Sequence, residues 1–282
     1  LKKLEANKPI SKTKEEVLQD FLEAKKANDT EKAWQTLSKN RDLGSGKLIP
    51  QQLAFLFVKI KSNGEESKAK EVLDALKYAA KLEEEKGGDF LWNELAKHYS
   101  RITDDKIAPT KNAQELMNEA AKLRIKGDIE SALNSFETAK QIFIENNNAV
   151  EEKLCDNWIA TITFQLGKLE ESNKTFNSLA KLSEEHNFKW LATQSYIRLS
   201  YGFISKNKHS KSIESNLNAL RFAEKTNDVF NLKRIFTNLA YNYKCLGQYE
   251  LSISYLERSL LLVASDPDTI QKWEAIQPLT EV

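Results

Sequence analysis

Residues 116–140 read LMNEAAKLRIKGDIESALNSFETAK, and this stretch decides the fold. Leu116, Ala120 and Leu123 lie three and four residues apart before Gly127, as Ala132, Phe136 and Ala139 do after it. That spacing lines one face of a helix, then one face of a second. Glycine between them supplies the left-handed backbone that ends the first helix. The same arrangement returns at Gly167, Asn207 and Gly247, 40 residues apart each time, so the second half of the chain is an array of helix pairs.

A true period aligns more columns than the turn. Five residues past each turn stand Ala132, Ser172, Ser212 and Ser252, and seven before it Ala120, Ala160, Ser200 and Ala240, all small. Nine past it stand Phe136, Phe176, Asn216 and Leu256, and twelve past it Ala139, Leu179, Ala219 and Ser259. Small columns facing each other let two helix backbones approach, while larger residues fill the space beside them. Asn147, Asn187, Asn227 and Pro267, twenty past the turn, end each unit.

On Leu116, Ala120, Leu123, Gly127, Ala132, Phe136 and Ala139 the chain resembles the tetratricopeptide repeat family. The resemblance spans roughly 112–265, with a period longer than the family's usual unit. Asn207, Asn216 and Ser259 depart from its pattern at the turn glycine, the aromatic and the alanine. It implies an all-α fold, an α-solenoid built as a right-handed superhelix of antiparallel helix pairs.

The organisation expected is an irregular helical region over 1–108, holding degenerate helix pairs, then four regular repeats and a terminal helix over 109–282. Val17, Leu18, Phe21, Leu22 and Ala24 give one apolar face, and Ala33, Trp34 and Leu37 the next. Pro50 can open a helix whose residues Leu53 to Ile60 are apolar nearly all round, and Asn63-Gly64 turns it into another. Gly87-Gly88 breaks the chain, and 103–110, with Asp104, Asp105 and Pro109, is read as a bend between the two halves. Past Pro267, Ile270, Trp273 and Ile276 form the face of a helix without a partner, so we expect more repeats, an output domain, or self-association through Trp273.

With 42 basic against 41 acidic side chains, a general nucleic-acid or acidic-membrane binder is not expected. No apolar run approaches the roughly 20 residues that span a bilayer, so membrane insertion is not expected either. Lys2, Lys3, Lys8, Lys12 and Lys14 read as a solvated terminus. Cys155 and Cys245 lie two repeats apart, too far for a disulfide, and free cysteines fit a reducing, cytoplasmic compartment. Export after removal of a leader is the alternative, since the chain opens at Leu1 and reads as processed or excised. Lysine and asparagine richness fits an AT-rich bacterial genome.

No catalytic centre, metal site or cofactor is expected. His98, His186 and His209 belong to separate segments and read as surface or turn residues. Gly44-Ser45-Gly46-Lys47 lacks the first glycine, the following Ser or Thr and the preceding strand of a phosphate loop. Glu65-Glu66, Glu83 to Glu85 and Asp104-Asp105 read as solvated faces. The expected function is therefore a non-catalytic scaffold for a protein or peptide.

The family resemblance also implies where that partner sits, because its concave wall is the free face of each first helix. Carried onto this chain, that register gives a groove of Asn118, Arg124, Asn157, Trp158, Arg198, Tyr201, Arg234, Asn238, Tyr241 and Lys244. Aromatic bodies interleaved with Arg, Asn and Tyr suit an interface, although Trp158, Tyr201, Tyr241 and the neighbouring Phe164 equally suit packing between first helices. Met117, Ala121 and Trp158 stand where the family's carboxylate clamp needs lysine and asparagine, so a chaperone-tail ligand is not expected. A sensor module within a larger signalling protein is the alternative.

Overall fold

The computed structural model describes residues 12–264 except 43, 45 and 47. Among them are thirteen α-helices and no strand. They are α1 Lys14–Lys26, α2 Thr30–Lys39, α3 Ile49–Ser62, α4 Glu66–Gly87, α5 Leu91–Arg101, α6 Asp104–Lys126, α7 Ile129–Glu145, α8 Ala149–Gln165, α9 Leu169–Glu185, α10 Lys189–Ile204, α11 His209–Lys225, α12 Val229–Cys245 and α13 Tyr249–Ala264. From α6 onward each helix packs on the next, giving an all-α, solenoid-like fold. Lys2, Lys3, Lys8, Ser45, Lys47 and the stretch bearing Ile270, Trp273 and Ile276 lie outside the described residues.

The turns explain the period. Gly127, Asn147, Gly167, Asn187, Asn207, Asn227 and Gly247 all take positive φ, so a left-handed residue recurs every half-unit. After each, a backbone N–H reaches five residues back: Asp128 to Leu123, Asn148 to Phe143, Lys168 to Thr163, Phe188 to Ser183, Lys208 to Phe203, Asp228 to Ala223 and Gln248 to Tyr243. These bonds occupy carbonyls that a helix end otherwise leaves empty. Asn207 thus does what glycine does in its sister units, because asparagine tolerates this region better than other side chains.

The small columns are buried, and their contact is close: the Ser172 hydroxyl donates to the Ala160 carbonyl on the preceding helix at 2.8 Å. Asn216, the polar residue in an otherwise apolar column, is fully buried and donates to the Ser212 carbonyl at 2.9 Å. A buried amide so satisfied costs little, which is how the third unit tolerates it.

Residues 103–110, expected as a bend, are the start of α6 instead. The chain turns one residue earlier, at extended Ile102, and Thr103 is the N-cap. Asp104 and Asp105 favour a helix N-terminus, and Pro109 sits near enough to it that one forgone bond does not stop the helix. A continuous apolar core runs from Val17 to Leu199, across residue 108.

The first five helices do not simply extend the array. They fold back across the first helices of the repeats: α3 lies on α6, α5 on α8 and α10, and α2 on α12. Polar groups fasten this closure. Asp89, fully buried, accepts the backbone N–H of Leu91 and of Lys189 at 3.1 Å and of Trp190 at 2.8 Å. Trp92 and Trp190 meet with ring centres 5.7 Å apart. Arg41, also buried, donates to Glu83 at 2.6 Å and to the Thr226 carbonyl at 3.2 Å, and its own carbonyl accepts from the Trp190 indole at 3.3 Å. Glu83 is therefore not on a solvated face as its acidic run implied. Burial pushes its carboxyl up to about 7 against the opposing pull of Arg41.

Candidate functional site

The fold-back divides the wall formed by α6, α8, α10 and α12 along its length. Toward the helix starts, Gln114, Leu154 and Gln194 are buried, as are Met117, Asn157 and Ile197 one turn on. Toward the helix ends the wall opens: Arg124, Phe164, Ile204 and Lys244 are half-buried, and Tyr241 is 48% exposed. The continuous groove implied by the register is thus reduced to its half near the ends of the first helices.

Along the wall the structure brings several of the expected residues together. The Arg124 guanidinium lies 4.9 Å from the centre of the Trp158 ring, itself stacked on Phe136 at 5.5 Å. Trp158 is only 6% exposed, so it serves core and wall at once. Arg234 donates to the Tyr201 hydroxyl at 3.4 Å and to Asn231 at 3.0 Å, and lies 5.9 Å from the Tyr201 ring. Asn238 donates to Asn216 at 3.3 Å. Arg198 sits among these groups, and burial, then Arg234, draw its pKa down to about 10. Burial alone would raise Tyr201, yet Arg234 and Arg198 beside it hold its phenol below the usual value.

Other expected residues stand apart. Asn118 is exposed, Asn157 is buried with its carbonyl oxygen unpartnered, and Tyr241 packs its ring edge toward His209 at 6.1 Å. Phe164 is half-buried. His98, read as a surface or turn residue, is half-buried against Tyr99, and burial lowers its pKa.

A second polar cluster escaped the sequence reading. Glu151 near the start of α8 is fully buried, accepts from Tyr99 on α5 at 3.2 Å and from Gln51 on α3 at 3.5 Å, and has no cation beside it. Burial pushes its carboxyl up to about 7. Gln114 and Asn148 donate to the Tyr99 hydroxyl at 2.9 and 3.4 Å, completing a knot where the fold-back meets the wall. Glu151 sits in an acidic pair at a helix start, a pattern that ordinarily faces water, so no local signal marked it.

Among the described residues no helix is long and apolar enough to cross a membrane, and no three His, Cys, Asp or Glu side chains group as metal ligands. Cys155 is buried and Cys245 exposed, both as free thiols.

Neither a family model nor a curated protein matches the sequence. Among solved structures the chain is similar to the crystal structure of BtubC (BKLC) from P. vanneervenii, with a TM-score of 0.51 and 15% identity. The match covers 76% of this chain and 89% of that one. At that identity it shows the fold alone, that of an all-helical, repeat-like protein.

Proposed function

We propose that the protein is a non-catalytic interaction scaffold of tetratricopeptide-repeat type, holding a peptide segment of a partner in the open half of the wall. The observation that carries this reading is the gradient along the first helices. Their starts are sealed by the chain's own N-terminal helices, while Tyr201, Asn238, Tyr241 and Lys244 at their ends keep accessible ring and polar surface. Partly open aromatic and amide groups above a rigid, buried floor are what a peptide interface uses, since they bury area and still direct hydrogen bonds.

The test is capture from a peptide array by the intact chain, set beside an Asn238→Ala/Tyr241→Ala double variant. The proposal expects peptides held by the wild type and lost by the variant, with helicity unchanged and melting lowered only by loss of the Asn238–Asn216 hydrogen bond. Equal capture by both would refute it.

A further inference from the structure

Between the end of α5, the start of α6 and the turn joining α7 to α8, the chain leaves a cavity of about 430 Å³. That is the size of a small-molecule site, roughly 300–1,000 Å³, but its wall is polar where such sites are usually apolar. Glu94, Lys97, His98 and Arg101 line it from α5 and Lys106 from α6, while the turn before α8 closes the other side.

Lys97 and Arg101 stand one turn apart on the same face of α5. Glu94 takes the Lys97 ammonium at 2.7 Å. Arg101 is exposed and makes no ion pair among the described residues, and Lys106 reaches only the Glu145 backbone carbonyl, at 3.4 Å. Two cations on separate helices therefore stay unbalanced in one cavity. The acids around it are engaged elsewhere: Asp104 by Lys61, Glu152 by Lys153, the Glu145 carboxylate by Gln141 and Glu151 by Tyr99. Asp105 is exposed, does not line the cavity and pairs with neither cation. His98 adds a polar group in want of a partner, since its Nε2 is buried without a hydrogen bond. Ala149 and Val150, in the first turn of α8, bring the positive end of that helix to the same space, which adds to the side-chain charge. A second cleft, between α8 and α9, sets Lys153 and Lys174 against Asp156 and Glu171, and there the charges cancel.

We infer that the cavity binds a small molecule bearing two linked anionic groups, a diphosphate or a dicarboxylate. Arg101 forks onto one group and Lys106 holds the other, an arrangement that a lone carboxylate leaves half-used. Apart from His98 no ring lines the cavity, so nothing there stacks a nucleobase. The bound dianion joins the last helix of the fold-back to the first repeats.

The test is calorimetric titration of the intact chain at neutral pH with pyrophosphate and with succinate, set beside acetate at equal ionic strength in chloride. We expect saturable binding of at least one dianion, about ten-fold or more tighter than acetate, with a raised melting temperature. The tighter of the two names the chemical source. Arg101→Gln and Lys106→Gln should each weaken that binding about ten-fold, whereas Arg221→Gln, the same charge change on α11, should leave it unchanged. His98 gives a local readout by NMR: a bound anion should move its titration to higher pH and leave those of His186 and His209 in place. No saturable binding, dianions no tighter than acetate, equal weakening by Arg221→Gln, or an unmoved His98 would each overturn the assignment. The cavity shares no lining residue with the groove, so it can fail while the peptide-array result stands.

Discussion

Glu151 is a carboxylate that the protein holds where its neutral form is preferred. Its folded pKa, about 7, lies above the ordinary 4.5. The folded state therefore binds more protons between those values, and stability is lost as pH rises from about 4.5 to about 7. Glu83, shifted the same way to about 7, adds to that trend. Glu151→Gln keeps an acceptor for Tyr99 without the charge, so urea unfolding should show the variant gaining on the wild type by up to about 3 kcal/mol between pH 5 and pH 8. A pH-independent difference would mean that Glu151 is solvated. Burial raises the Asp89 carboxyl as well, but there three backbone donors oppose the shift, and its value lies in satisfying them. Asp89→Ala leaves those N–H groups buried and unpaired, and should cost at least about 3 kcal/mol in the same measurement. Neither residue was legible in the sequence, because burial of an acid is decided by what arrives from 50 to 100 residues away (Tyr99 for Glu151, Trp190 for Asp89).

Helices and turns were far more legible, since their causes are local. Pro50, Gly64, Gly88, Gly127, Gly167 and Gly247 stand at helix starts or left-handed ends, and the small columns are the buried ones. The bend expected around Pro109 is not seen: at the sixth position of α6 the proline forgoes one i→i−4 bond, and the helix, packed on α3 and α7, runs through it. The turn residues offer a direct check. Asn207→Gly should change stability by less than about 0.5 kcal/mol, whereas Asn207→Val, forced into φ near +54°, should cost about 1–2 kcal/mol by thermal melting. Equal effects of glycine and valine would remove the left-handed cap as the reason for asparagine there.

At the scale of the whole molecule, the fold-back changes what the repeats can do. An open array would offer a partner the full concave wall, but α2, α3 and α5 cover the part nearest the helix starts. Periodicity shows the wall and not its cover, so the register overestimated the groove and placed buried Asn157 in it. The closure also couples both ends of the chain. Arg41→Ala would strand Glu83 in the interior without its partner and should cost about 3–5 kcal/mol. Because Arg41 also holds the Thr226 carbonyl, the variant should melt α2 and the start of α12 together, seen as parallel loss of amide protection. The measurement that bears most directly on the groove is hydrogen exchange of the intact chain with and without an array-selected peptide. The account predicts new protection over residues 198–204 and 238–245, at the ends of α10 and α12, with α9 and α11 unchanged. Protection confined to α9 and α11, or to the N-terminal helices, would contradict it.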